Sequence, residues 1–270
     1  MQHTRLVGFR LVFAAALVLV PMLAYGDPAG STPAKTAATP AKTIVLVHGA
    51  WADASSWSKV IPLLEAKGYD VIAVHLPMTS IADDVAATKR AIEQAPGDVV
   101  LVGHSYGGVV ISLAGNHDKV KSLVYVDAFA LDDGETINGL SKDNPPAWTK
   151  AIKIDSGGFG WLPAETGAKD FAQDLPAAEQ KLVSATQSPF PMKEFDAPMK
   201  NPAWKKKPSW YVRGTADHAI DPAAQAQMAK RMKATVTSVN ASHLSPLSKP
   251  REVSAVIANA AKAPEATAQR

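Results

Sequence analysis

Asp98-Val99-Val100-Leu101-Val102-Gly103-His104-Ser105-Tyr106-Gly107-Gly108-Val109-Val110-Ile111 decides how this chain folds. Its first half is an apolar run without polar alternation, which reads as a strand buried on both faces, and its last residues open a helix. Between them stands Gly103-x-Ser105-x-Gly107. A G-x-S-x-G pentapeptide in that setting turns the chain so sharply that the serine hydroxyl stands clear at the end of the strand. Small residues are needed at both flanks, because a Cβ there would collide with the neighbouring strand and helix.

Outward from this turn the same alternation recurs. Strand-like runs lie at 43–48, 70–75, 99–103, 122–127, 209–213 and 235–239, and helical spacing at 57–67, 81–94, 106–116, 222–233 and 250–261. Unalternating strands with intervening helices predict an α/β fold with a doubly wound, mostly parallel six-stranded sheet. Ligands of such a sheet sit beyond the carboxyl ends of its strands. Residues 129–207 break the rhythm with many Pro and Gly, short helical patches (176–187 is the clearest) and no buried strand. They also hold eight of the chain's 18 aromatic residues, which argues against a disordered insertion. We expect a mainly helical cap there, lying over the strand ends.

The N-terminal residues have another character. Arg5 and Arg10 precede the apolar run from Leu11 to Leu23, and Ala24-Tyr25-Gly26 offers small residues for a signal peptidase. The run is shorter than the roughly 20 apolar residues of a membrane span. Residues 1–26 are therefore expected to be a cleaved signal peptide, with export to the periplasm or out of the cell and no stable membrane anchor. Residues 27–42 read as a flexible linker, 43–262 as the folded body and 263–270 as a tail. Loss of 1–26 removes two positive charges and no negative one, lowering the formal net charge from +3 to +1. That balance gives no electrostatic case for nucleic acid. The sequence has no cysteine, which excludes a thiol nucleophile, disulfides and thiolate metal sites.

A serine hydroxyl needs a base to become a nucleophile at neutral pH. Of seven histidines, His3 lies in the signal, His48 and His104 flank Gly-rich turns and read as backbone braces, and His75 and His117 lack suggestive surroundings. His243 follows the last strand-like run, where its loop reaches the Ser105 turn, so it is the expected base, with His218 as a second candidate. The base needs an acid to orient it. Asp217 follows a strand that ends in a tight Gly214 turn and gives the order Ser, Asp, His. Asp127 and Asp221 are rivals, although Asp221 before Pro222 reads as a helix cap and Asp127 as a tie at the cap entrance. The amides of Ala50 and Tyr106 are the expected oxyanion donors. Trp51, Phe129, Trp161 and Leu244 are the expected pocket residues.

These segments together resemble the α/β-hydrolase superfamily, and within it the compact esterase and hydroxynitrile-lyase-like branch. The resemblance rests on Ile44-Val45-Leu46-Val47-His48-Gly49-Ala50-Trp51, Pro62-Leu63-Leu64-Glu65-Ala66-Lys67-Gly68-Tyr69, the Ser105 turn and His243-Leu244-Ser245-Pro246. It implies a Ser-His-Asp hydrolase of small to medium uncharged esters that needs no metal or organic cofactor. Cyanohydrin-cleaving members carry a threonine after the first strand and a lysine after the catalytic histidine; Gly49 and Leu244 stand there, as in esterase-type members. C–C hydrolysis, perhydrolysis and slow-turnover ligand sensing are alternatives on the same residues.

Overall fold

The computed structural model describes residues 43–142 and 145–262. The expected signal peptide at 1–26, linker at 27–42 and tail at 263–270 lie outside the described residues. All six strand-like runs form strands: β1 (Thr43–Val47), β2 (Asp70–Val74), β3 (Val99–His104), β4 (Val120–Val126), β5 (Ser209–Gly214) and β6 (Thr235–Val239). They form one sheet in the order β2-β1-β3-β4-β5-β6 with every pairing parallel.

Side chains one residue apart point to opposite faces of a strand, and both faces here are apolar. Val45, Val47, Leu101, Leu123, Tyr125 and Tyr211 pack on one side with α2 (Ile81–Gln94), α3 (Gly107–Ala114) and α4 (Pro222–Arg231). Ile44, Leu46, Val100, Val102, Val124 and Val212 pack on the other with α1 (Ile61–Glu65) and α5 (Pro250–Lys262). This division is why the strands lack polar alternation. It also makes the sheet doubly wound, as expected.

The helical pattern at 57–67 resolves into a 3-10 turn, Ala54–Trp57, and the separate short α1. Pro62 enforces the break. It lacks an N–H and its ring clashes with the preceding turn, so it is tolerated only in the first turn of a helix.

The chain runs from β1 outward to β2 and returns to β3 on β1's other side, so the strand order reverses between β1 and β3. Ligand sites of open α/β sheets lie at such switch points. Here the turn after β1 and the turn after β3 leave the sheet side by side, with Val47 paired to Gly103.

Between β4 and β5 lies the expected cap, made mainly of short helical segments such as Ala177–Ala185. It also contains what the sequence did not reveal, an antiparallel sheet of Lys153–Ile154, Phe159–Trp161 and Phe190–Pro191. Strands of two or three residues are too short to display a period. The first two are joined by a turn in which Asp155 Oδ1 accepts from the Gly157 and Phe159 amides at 2.8 and 2.9 Å. Cap and sheet belong to one compact unit. Among the described residues no helix is long and apolar enough to cross a membrane.

Candidate active site

Ser105 occupies the turn between β3 and α3 with φ +55°. A left-handed conformation costs a non-glycine residue about 1–2 kcal/mol, and close packing holds it in place. A Cβ on Gly103 would lie 2.5 Å from the Gly107 carbonyl oxygen, and one on Gly107 would lie 2.7 Å from the carbonyl oxygens of Val47 and His48. Glycines at both flanks thus let strand, turn and helix close on one another. The Ser105 amide donates to the Val126 carbonyl at 3.2 Å, and its own carbonyl accepts from Phe129 N–H at 3.1 Å. The turn is thereby fastened to the end of β4.

His243 reaches this serine from the loop after β6. Its Nε2 lies 2.8 Å from Ser105 Oγ and its Nδ1 lies 2.8 Å from Asp217 Oδ2. All three residues are buried. With Nδ1 protonated and donating to the carboxylate, Nε2 is left to accept the serine proton. Asp217 is itself fixed by its surroundings. Oδ1 accepts from the Ala219 and Ile220 amides at 2.7 and 3.0 Å, and Oδ2 accepts from Gln225 Nε2 at 2.7 Å. Gln225 is fully buried on α4. It was invisible in the sequence, because a glutamine eight residues after an aspartate carries no signal of its own.

The rival residues fall elsewhere. Asp221 caps α4 by accepting from Ala223 N–H at 2.9 Å, the role expected of it. His218 is exposed on the rim of the larger cavity described below. Asp127 is fully buried, and its Oδ1 accepts from the Gly214 amide at 2.6 Å. It therefore ties the end of β4 to the end of β5, and to Ser245 in the loop after β6, rather than to the cap entrance. Burial, and then the neighbouring Asp217 carboxylate, hold the Asp127 carboxyl well above the usual carboxylate range, favouring its neutral form. A neutral acid is a poor partner for an imidazolium.

The turn after β1 carries Ala50 and Trp51, and Trp51 also adopts a left-handed φ of +54°. Its Nε1 donates to the Gly160 carbonyl of the cap at 2.8 Å, and its ring meets Trp148, Phe171, Phe190 and Phe195 edge-on. Among the described residues the Ala50 and Tyr106 amides have no backbone acceptor. The Tyr106 hydroxyl donates to the buried Asp84 Oδ2 at 2.8 Å, and Asp84 Oδ1 accepts from Met78 N–H at 2.8 Å. Burial, then Asp84, pushes the Tyr106 hydroxyl far above its ordinary range. It stays an un-ionised donor that pins the start of α3.

Two cavities meet at this site. The larger, about 810 Å³, is lined by Ser105, Tyr106 and mostly apolar residues including Phe129, Trp148 and Phe195. The smaller, about 460 Å³, lies under the cap helix Ala177–Ala185 and is lined by His104 and Leu244 among others. Ala50, Trp51, Phe171 and His243 border both. Three of the four expected pocket residues therefore line a cavity: Trp51, Phe129 and Leu244. Trp161 does not. It is 37% exposed, because Gly160 turns toward Met192 and Ile152 and alternation sends Trp161 to the opposite face. Trp148 takes the place expected of Trp161.

Residues 44–256 match the sequence profile of the alpha/beta hydrolase family. The chain belongs to that family. Among curated relatives, a pyrethroid hydrolase of Sphingobium wenxiniae is 30% identical over 250 residues, spanning 82% of this chain and 88% of the relative. Methylesterase 2 of Arabidopsis thaliana is 40% identical over 104 residues, 33% of this chain and 40% of the relative. Among solved structures, a pyrethroid hydrolase of Sphingobium faniae superposes with a TM-score of 0.74 at 27% identity, covering 83% of this chain and 98% of that one. These likenesses place the chain in the esterase-like branch of the alpha/beta hydrolases.

In this alpha/beta hydrolase family member, the two histidines beside the Gly-rich turns do brace backbone. His48 Nδ1 donates to the Gly49 carbonyl at 2.9 Å while Nε2 accepts from Leu76 N–H at 3.1 Å, which steadies the Ala50 turn. His104 Nε2 donates to the His243 carbonyl at 2.8 Å. Burial lowers their pKa values to about 4 and about 3 respectively, so both are neutral imidazoles in the fold. An unfolded chain takes up these protons below about pH 6.5, whereas the fold does not. Their stabilising balance is therefore complete above that pH and is lost as pH falls toward the depressed values. His104→Gln keeps a donor without this titration. Its stability deficit against the wild type should shrink by about 1.6 kcal/mol in total between pH 6.5 and pH 5 in urea unfolding. Parallel stability curves would contradict the neutral, buried imidazole.

Proposed function

We propose that this chain is a serine carboxylesterase acting on small to medium uncharged esters. The observation that carries the reading is the unbroken line Asp217, His243, Ser105, with two 2.8 Å contacts, opening into an apolar cavity of about 810 Å³. Ser105 Oγ attacks the ester carbonyl carbon as its proton passes to His243 Nε2, and the imidazolium so formed is stabilised by Asp217. The carbonyl oxygen becomes an oxyanion held by the Ala50 and Tyr106 amides. The tetrahedral centre collapses, the C–O bond to the leaving group breaks, and His243 returns its proton to the departing alkoxide. Water, deprotonated by His243, then attacks the acyl-serine and the acid leaves.

Relatives named as methylesterase and pyrethroid hydrolase support an ester as substrate. The apolar lining favours neutral molecules of drug-like size. Leu244, beside the base, is buried against Ala172, Leu175 and Leu247. Leu244 supplies no cation at the position where cyanohydrin-cleaving members carry a lysine, which supports ester hydrolysis over cyanohydrin cleavage. Export through residues 1–26 belongs to the same proposal.

A graded series of p-nitrophenyl esters tests it. The expected result is turnover that is highest for short acyl chains and declines with length. Absence of hydrolysis across the series, with the chain folded, would remove the esterase reading. Mass analysis of protein recovered outside the cytoplasm should give a chain beginning at Asp27; a retained Met1 would contradict export with cleavage.

A further inference from the structure

We propose that residues 171–175 of the cap are a positioning element for the catalytic residues, with Asp174 steadying His243 and Gln173 steadying Asp217; the proposal rests on the serine-esterase reading above. All five residues of this segment touch the catalytic base or a loop that bears a catalytic side chain. The Phe171 ring stands edge-on to the His243 imidazole, centroids 5.2 Å apart. Ala172 and Leu175 pack with Leu244 and Leu247, which follow His243 in the chain. Gln173 Nε2 donates to the Ala216 carbonyl at 2.6 Å, one residue before Asp217. Asp174 accepts from the Ser242 amide at 2.9 Å and from the Ser242 hydroxyl at 2.5 Å, one residue before His243.

The arrangement around His243 is closed on both sides. Leu244 N–H donates to Ser242 Oγ at 3.3 Å, and Ser242 Oγ–H donates to Asp174. The two residues that bracket the base therefore hang from one cap carboxylate. From the sheet side, His104 holds the His243 carbonyl at 2.8 Å. Bonds to an ionised acceptor are about twice as strong as neutral ones, and Ser242 is fully buried while Asp174 is exposed at the cap edge, so loss of Asp174 leaves mobile water in place of a fixed acceptor. The segment begins where a short cap helix, Ala164–Thr166, widens to a π turn, Gly167–Phe171, closed by Ala172 N–H to the Gly167 carbonyl at 3.0 Å. Such turns insert an extra residue and are frequent at functional sites; here the turn delivers Phe171 to the imidazole. A cap lifted from the body would withdraw Gln173 and Asp174 together. A seated cap thus completes an alignment of base and acid that the body holds from the other side.

Kinetics on a p-nitrophenyl ester, together with the rate at which a fluorophosphonate labels Ser105, provide the test. Asp174→Ala should lower kcat and the labelling rate in parallel by about 10–100-fold, the penalty of a misplaced base, with KM nearly unchanged. Asp174→Asn, which keeps one acceptor oxygen, should restore part of the loss. Ser242→Ala should fall between, and the double variant should be no worse than Asp174→Ala alone, because both changes remove one shared contact. Glu135→Gln is the control. It breaks another tie between cap and body, to Arg231 at 2.6 Å, away from both catalytic loops, and should lower Tm while leaving kcat unchanged. If Asp174→Ala does not fold, Ser242→Ala and Gln173→Ala carry the same readout. Folded variants that turn over and label like the wild type would overturn the positioning role alone. A wild-type chain that the probe leaves unlabelled would overturn the serine reading and this proposal with it.

Discussion

Replacing Ser105 with alanine should lower kcat/KM for an activated ester by at least about a thousandfold, with folding intact. The loss is large because no neighbouring group can stand in. The Ser105 hydroxyl lies 2.8 Å from His243 Nε2, and among the described residues no other cavity-lining hydroxyl is hydrogen-bonded to a histidine. What activity remains would come from the Ala50 and Tyr106 amides acting on water-driven hydrolysis. Alanine fits the turn without steric conflict, although it inherits the left-handed φ of +55°, so a modest stability loss is expected beside the catalytic one. Circular dichroism and Tm separate the two effects. An alanine variant that turns over like the wild type would show that hydrolysis, if present, uses another nucleophile.

The second large effect concerns which carboxylate serves the base. Asp217→Asn should lower kcat by about 10³–10⁴-fold, because an amide cannot hold His243 in the tautomer that accepts from serine and cannot stabilise the imidazolium. Asp127→Asn should stay within about tenfold of wild type. It accepts from the Gly214 amide and bonds Ser245 in the loop after His243, tasks that an asparagine oxygen performs at a cost near that of ordinary hydrogen bonds. Both aspartates are buried and lie at the ends of neighbouring strand turns, so burial alone does not separate them; the direct contact of Asp217 with His243 does. The opposite ranking of the two variants would reassign the acid.

Local chemistry explains what could be read from the sequence. The strands were legible because both faces of the sheet are covered, which leaves Val, Ile and Leu without polar alternation. Ser105 was legible from its glycines, and His243 and Asp217 from their places just beyond strand ends. Asp221 announced its capping role through Pro222. The cap resisted because its order is tertiary. Its strands of two or three residues take their register from turns and from Trp51, and Trp148 and Trp161 differ in no local signal, only in which face of the cap they occupy. Asp84 and Asp174 were missed for the same reason, since each acts on a partner distant in sequence, as Asp174 does on Ser242, 68 residues away; Gln225, only eight residues from Asp217, was missed because a glutamine at that spacing carries no signal. Asp127 was misassigned as a cap tie because its contact with Gly214 crosses between strands that 82 residues separate.

The most direct test of an activated Ser105 is to treat the folded chain with a fluorophosphonate and locate the adduct by peptide mass spectrometry. The expected result is one phosphonyl group per chain on the peptide containing Ser105, with labelling abolished in His243→Ala. A chain that hydrolyses esters yet carries no adduct at Ser105, or that is labelled equally fast without His243, would contradict it.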